Sequence, residues 1–369
     1  MYIVTRKSLL YITTIILTVT NLFSSSLFLT IDPGSMSTKS FVYEYGLHMP
    51  IIISSDADFL SFPGSGTIQD PFLIEGFKIT SSEPFGIHIS STTKHILIRN
   101  CFINVSQIGI LIEDKFEGTV RIENNIITGS ENLNGHGVVA YLAKEVVLEE
   151  NIVSSHASSG LVMAGVDVSY IHNNVFSSNG DTGMEVVYVN NLRIYENEYN
   201  DNVKRGMYVG GCDNVIIMKN DCSRNEREGI YIEECEDCFI LNNTIENNGL
   251  SGMKMDGARR CLLSYNLFRE NQARGLYLDE DCDNNRIFLN DFIENRREGS
   301  QGRDEGKENQ WFNEVERIGN FWNDIGNKEI YEIDGSANSV DLYPEIIKTN
   351  QTFYISMFFS FMSIFFLGL

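Results

Sequence analysis

Apolar and polar residues alternate along this chain in short bursts, and each burst opens on a glycine. Gly86-Ile-His-Ile is the first, followed by Gly109-Ile-Leu-Ile, Gly137-Val-Val-Ala, Gly160-Leu-Val-Met and Gly183-Met-Glu-Val. Gly206-Met-Tyr-Val, Gly229-Ile-Tyr-Ile, Gly252-Met-Lys-Met and Gly275-Leu-Tyr-Leu complete the series. The step is 23 residues throughout, except for 28 between Gly109 and Gly137, which predicts a loop insertion in the 130–135 region. Positions one and three after each glycine are apolar. A period of two puts them on the inner side of a β-strand.

A second inward pair follows at positions nine and eleven: Leu192 and Ile194, Val215 and Ile217, Cys238 and Ile240, Cys261 and Leu263. Position fourteen is asparagine in Asn100, Asn151, Asn174, Asn197, Asn220, Asn243 and Asn266, and Asn124 and Asn290 join after a one-residue insertion. Two residues on comes a third inward position, held by Phe102, Ile126, Val153, Phe176, Tyr199, Cys222, Ile245, Phe268 and Phe292. Asn179, Asn202, Asn225, Asn248, Asn271 and Asn295 form a second asparagine column. Three short strands per repeat predict an all-β, triangular parallel solenoid of about nine to ten coils stacked ~4.8 Å apart. Helical solenoids have longer repeats and a period of 3.6, which this pattern excludes. Stacked asparagines bond to one another and to corner backbone, and asparagine tolerates the left-handed conformation of a sharp corner.

The chain divides accordingly. Residues 1–34 read as a signal peptide or N-terminal anchor, with Arg6 and Lys7 ahead of an uncharged stretch. Residues 35–79 read as a lead-in and cap, and 80–295 as the repeats. Residues 296–346 read as an exposed loop (RREGSQGRDEGKEN) and a C-terminal cap closed by Trp311, Phe312, Phe321 and Trp322. The apolar tail 352–369 reads as a C-terminal membrane anchor, with a hydrophobic end packed on the solenoid as the other reading. Basic residues stay on the cytoplasmic side, so 35–348 is expected outside the cell. Sequons at Asn104, Asn242 and Asn350 suit that placement. The net charge is -22, with 50 acidic against 28 basic residues, which argues against nucleic acid as a partner.

Chemistry concentrates on the outward positions of the first strand. Positions two and four hold Glu185 and Val187, Tyr208 and Gly210, Tyr231 and Glu233, Lys254 and Asp256, Tyr277 and Asp279. Glu185, Tyr208, Tyr231, Lys254 and Tyr277 are the candidate ligand-binding row, because tyrosines flanked by carboxylates offer sugars an apolar ring and a polar tip. Glu233, Asp256 and Asp279 are candidate catalytic carboxylates. Neighbouring coils approach the ~5–5.5 Å separation of retaining glycosidases, and coils two apart the ~6.5–9.5 Å of inverting ones. A stacked solenoid also lines up carboxylates without any catalytic purpose, and a solvated face is the plainer reading. The six histidines show no ligand-like spacing and read as surface and corner residues. Cys212 stacks on Cys235, and Cys238 on Cys261. Two readings stay open there: inter-coil disulfides, or buried thiols filling a column. Both come ahead of a metal site. Met163, Met184, Met207, Met253 and Met255 take inward positions and read as core.

Two flanking segments add a resemblance. Residues 51–79 (IIISSDADFLSFPGSGTIQDPFLIEGFKI) and the closing pieces Gly319-Asn-Phe-Trp-Asn-Asp and Gly335-Ser-Ala-Asn-Ser-Val-Asp-Leu-Tyr-Pro resemble those of archaeal surface proteins of the NosD-like, carbohydrate-binding and sugar-hydrolysis (CASH) group of right-handed parallel β-helices. The likeness spans about residues 51–344. It implies a right-handed parallel β-helix that binds polysaccharide or another envelope component along its strand face without catalysis. Its alternatives are a hydrolase or lyase, with Lys254 as a lyase base and calcium as that chemistry's cofactor, and an accessory role in periplasmic copper handling. The aspartate- and glycine-rich calcium-like loop of many relatives is replaced here by residues 325–333, and no copper signature is present. No metal or cofactor is therefore assigned.

Overall fold

A computed structural model describes residues 45–129, 135–295 and 299–345. The two apolar ends, most of the expected insertion and the Asn350 sequon lie outside the described residues. Among those described, no helix is long and apolar enough to cross a membrane.

The chain winds through about ten turns of a right-handed solenoid with three parallel sheets. The first sheet stacks Ile51–Ile53 on Phe85–Ser90 and continues through Leu161–Ala164, Met184–Val187, Met207–Gly210, Ile230–Glu233, Met253–Asp256 and Leu276–Leu278. The second sheet runs from Phe72–Glu75 and Ile96–Arg99 to Arg286–Ile287. The third runs from Gly46–His48 and Phe77–Ser81 to Phe321–Trp322. Ile108–Glu123 and His136–Glu149 turn the corner between the first two sheets without a break.

The repeat glycine is explained by close approach. A Cβ on Gly183 would stand 2.6 Å from the carbonyl oxygen of Gly206 and 2.9 Å from Nδ2 of Asn202. The expected inward positions of the central repeats are fully buried, including the five methionines. Both asparagine columns are hydrogen-bonded ladders. Asn220 donates its backbone N–H to Oδ1 of Asn243 at 2.9 Å and its Nδ2 to the Ile194 carbonyl at 3.1 Å. Every ladder amide is dry and satisfied, so each bond counts for more than it would in water.

The structure departs from the sequence expectation in four places. In the first two repeats the register is one residue later than expected. Cys101 and Asn125, not Asn100 and Asn124, occupy the ladder position: Cys101 N–H donates to Asn125 Oδ1, and Asn125 N–H to Asn151 Oδ1. The inward residues there are Ile103 and Ile127 rather than Phe102 and Ile126. The left-handed corner residue is also not the ladder asparagine but the residue before it. Asn173, Glu196, Lys219, Asn242 and Tyr265 all have φ between 55° and 60°. The ladder holds the corner in that costly conformation, so even Glu, Lys and Tyr adopt it.

The third departure concerns 296–309. The stretch read as an exposed loop carries a strand: Gly302–Asp304 pairs in parallel with Leu276–Leu278. Ser300, Gln301 and Asp304 are buried. Its inward residues are polar, which hid it. Asp304 stands at the centre and accepts from Trp311 Nε1 at 3.0 Å, Asn309 Nδ2 at 2.9 Å and Ser339 Oγ at 2.7 Å. Trp311 and Trp322 are fully buried, with Trp322 stacked on Phe292 at 4.2 Å and under Tyr331 at 4.0 Å. Fourth, part of the stretch read as lead-in and cap supplies the first coil itself, with one strand in each sheet.

The seven cysteines are buried free thiols, so in this structure the stacked pairs fill a column instead of forming disulfides. Cys212 N–H points at Cys235 Sγ, 3.4 Å away.

Candidate functional site on the first sheet

The first strand's alternation sends positions two and four outward, and stacking turns them into two rows. The strand register places Glu185 beside Tyr208, Tyr208 beside Tyr231, Tyr231 beside Lys254, and Lys254 beside Tyr277. Arg303 of the unexpected strand continues the row beside Tyr277. In the second row Gly210 stands beside Glu233, and Glu233 beside Asp256. The register therefore brings Glu185, Tyr208, Tyr231, Lys254, Tyr277, Glu233 and Asp256 together on one face, and Asp279 directly follows the strand Leu276–Leu278.

The side chains do not stand free. Arg205 lies over the Tyr231 ring at 4.6 Å, and Lys254 lies over it at 4.8 Å. Tyr231 is left 8% exposed, buried where solvent contact was expected. Tyr208 and Tyr277 remain half-buried. Arg303 stands 5.8 Å over Tyr277. Tyr208 meets Tyr231 edge-on at 5.5 Å, and each of the three rings has a cation against it, where the cation meets the ring's negative face. Sequence reasoning missed both arginines. Arg205 immediately precedes the repeat glycine Gly206, a register position that was available to read. Arg303 was hidden by the polar inward residues around it.

Each cation is also paired with a carboxylate. Arg205 Nε donates to Glu228 at 3.0 Å, Lys254 Nζ to Asp256 at 3.0 Å, and Arg303 bonds Glu305. Tyr208 donates its hydroxyl to Glu233, and Tyr231 donates to Asp256 at 2.9 Å. Glu185 accepts from Ser159 Oγ at 2.6 Å. Burial, then hydrogen bonding to Asp256, pushes the Tyr231 hydroxyl up to about 12.

Asp256 and Asp279 act on each other, and their acidities shift in opposite directions. Asp256 is held below the usual carboxylate range by Asp279, Lys254 and Tyr231, against the effect of burial. Asp279 is raised by burial first and by Asp256 second. The backbone N–H groups of Gly257 and Asp281 each donate to Asp279 Oδ1 at 3.1 Å. The pair therefore holds one proton most easily on Asp279. Lys254 is pulled down by burial, but Asp256 and Tyr231 outweigh this and raise it. A protonated Lys254 is a hydrogen-bond donor and not a base. Among the described residues, no group of three or more histidines, cysteines, aspartates or glutamates has metal-binding geometry.

The stacked parallel coils define a β-solenoid. The family model for the right-handed beta helix region matches residues 136–293 and 206–336, and the chain belongs to that family. No curated protein matches it. Among solved structures, the enzymatically active domain of tailspike protein 2 of bacteriophage CBA120 aligns with a TM-score of 0.54 at 11% identity, over 72% of this chain and 46% of that one. The A-module of the mannuronan C-5 epimerase AlgE4 of Azotobacter vinelandii aligns at 0.42 and 14% identity, over 73% of this chain and 90% of that one. At these identities the likeness concerns the fold.

Proposed function

We propose that the chain binds carbohydrate, without cleaving it, along the face running from Glu185 to Arg303. The observation that carries this reading is the row of Tyr208, Tyr231 and Tyr277 with Arg205, Lys254 and Arg303 against their rings, bordered by carboxylates. Such a surface is rigid and offers apolar rings beside polar groups already fixed in place, so little is lost in ordering it on binding. The internal hydrogen bonds favour binding over cleavage. Glycosidase carboxyls stand ~5 Å or more apart with the scissile bond between them. Here Asp256 is engaged by Tyr231 and Lys254, Glu233 is engaged by Tyr208, and Lys254 is a poor base.

A polysaccharide hydrolase is the second reading. It is favoured by one observation, the divergence of Asp256 and Asp279, since splitting two carboxyl acidities is how an acid and a base are assigned. We further read the chain as an exported envelope protein of the NosD-like, CASH-type branch, held to the membrane by its apolar ends. A copper-handling role has no group on this face to support it.

The test is a glycan array with the purified chain, repeated with Tyr208→Ala and Tyr277→Ala. Saccharide binding that both variants weaken supports the proposal. Absence of any glycan ligand overturns it. Release of reducing ends that is lost in Asp279→Asn would replace it with the hydrolase reading.

A further inference from the structure

The same sheet carries a second polar cluster near its N-terminal end. His88 and Ser90 face outward on Phe85–Ser90, and the register sets Ser90 beside Glu113 and Glu113 beside Tyr141. His88 Nε2 lies 2.7 Å from Glu113 Oε1, and Tyr141 donates its hydroxyl to the other carboxylate oxygen. A carboxylate only accepts, so in the neutral ring Nε2 carries the proton and Nδ1 is the lone-pair nitrogen. Among the described residues nothing bonds to Nδ1. The Phe85 ring braces the imidazole at 5.2 Å, and the His88 side chain keeps 18% of its surface in solvent.

This differs from the other carboxylate-bonded histidine. His172 has Glu149 3.6 Å from Nδ1 and Glu196 3.2 Å from Nε2, so both ring nitrogens are occupied. His88 has one nitrogen fixed and one open. A base oriented by a carboxylate is the arrangement that activates an oxygen nucleophile.

The surroundings select the reaction. Glycoside hydrolysis needs two carboxylates, and among the described register-paired face positions Ser90, Leu111, Glu113, Val139 and Tyr141 only Glu113 is one. Elimination from a uronate needs a cation to hold the developing charge, and the neighbouring face positions are Ser90, Leu111 and Val139. Ester hydrolysis needs one base and water. We propose that His88 is a general base for hydrolysis of O-acyl esters on saccharides lying along this sheet, with Glu113 as its positioning residue. The saccharide part rests on the binding proposal above, and the ester chemistry does not. His88 Nδ1 takes a proton from water as the water oxygen bonds to the acyl carbon. The bond from that carbon to the sugar oxygen then breaks, and its electron pair leaves with the sugar oxygen. That oxygen recovers the proton from the imidazolium, leaving a carboxylic acid and a free hydroxyl.

The experiment measures hydrolysis of p-nitrophenyl acetate and release of acetate from O-acetylated xylan by the full chain. General-base catalysis contributes roughly 100-fold or more, so His88→Gln is expected to lose about that factor on both. Glu113→Gln should fall with it, Glu113→Asp should recover part of the rate, and His172→Gln should leave it unchanged. The outward column already holds Val139, Val162 and Tyr208, so the His88 variant is expected to fold, and circular dichroism checks this. Tyr141→Phe, which keeps the ring, is the second variant and should lower the rate by loosening Glu113. Hydrolysis no faster than with the same concentration of imidazole, or equal in wild type and His88→Gln, overturns the proposal. Cleavage of p-nitrophenyl acetate but not of acetylated xylan overturns its saccharide part. Ester cleavage without glycan-array binding would separate this site from the binding reading.

Discussion

Gln301 accepts the backbone N–H of Asn295 through Oε1 at 3.0 Å and the Nδ2 of the same residue at 3.1 Å. A glutamine thereby ends the second asparagine ladder, reaching from the next turn where an asparagine would otherwise stand. Gln301→Ala leaves the buried backbone N–H of Asn295 without a partner, while its Nδ2 keeps the Phe268 carbonyl at 2.7 Å. The expected loss is about 1–3 kcal/mol for that unsatisfied group, read as a lower urea midpoint at unchanged slope. An unchanged midpoint would show that water replaces the side chain.

The other end of that ladder is a histidine. His156 receives the same contact from Asn179 that the asparagines receive, its N–H meeting Asn179 Oδ1 at 3.2 Å, and its Nε2 faces the Ile127 carbonyl at 3.2 Å. Burial pulls its imidazole down to about 4. The unfolded chain, with an ordinary histidine near 6.5, binds the proton first, so stability falls as pH drops from about 6.5 to about 4. The loss from this group is on the order of 3 kcal/mol at most. His156→Asn fits the column and should flatten this part of the stability–pH curve. A curve unchanged in the variant would assign the effect elsewhere.

Cys101 sits where the first ladder has its asparagines, with Sγ 3.8 Å from the Ile74 carbonyl. Cys101→Asn should extend the ladder by one rung and raise stability by about 0.5–1.5 kcal/mol, seen as a higher melting temperature. A lower melting temperature would mean that the first coil is too tight for an amide.

Burial pushes the Cys101 thiol up to about 11 and the Cys282 thiol up to about 12. Neutral, covered thiols react slowly. Ellman's reagent should therefore find no thiol in the folded, reduced chain and all seven after denaturation. Rapid labelling of the folded chain contradicts this packing. A count below seven after denaturation without reductant identifies a cross-link between coils.

The Asp256–Asp279 pair is testable by carbon NMR. Asp279 should titrate above, and Asp256 below, the ordinary aspartate range. Asp256→Asn removes the neighbouring charge, so Asp279 should move down while keeping the part of its rise that burial causes. Two overlapping ordinary titrations would mean that the pair is open to water.

The period of two, the 23-residue step and the stacked asparagines determined the solenoid from sequence, because stacking makes each column obey one chemical rule. They also placed Glu185, Tyr208, Tyr231, Lys254, Tyr277, Glu233 and Asp256 on one face, since alternation alone decides which side a strand residue takes. Pattern could not read the coil around Gly302–Asp304, whose core is Asp304 and Gln301 bonded to partners brought by later chain. Nor could it read contacts between rows. That Lys254 spends its charge on Asp256, that Tyr231 is covered, and that His88 meets Glu113 from the adjacent coil depend on side-chain reach across ~4.8 Å of stacking. Only the tertiary structure decided these, because pairing energies depend on distance and burial, and a residue's place in a repeat supplies neither.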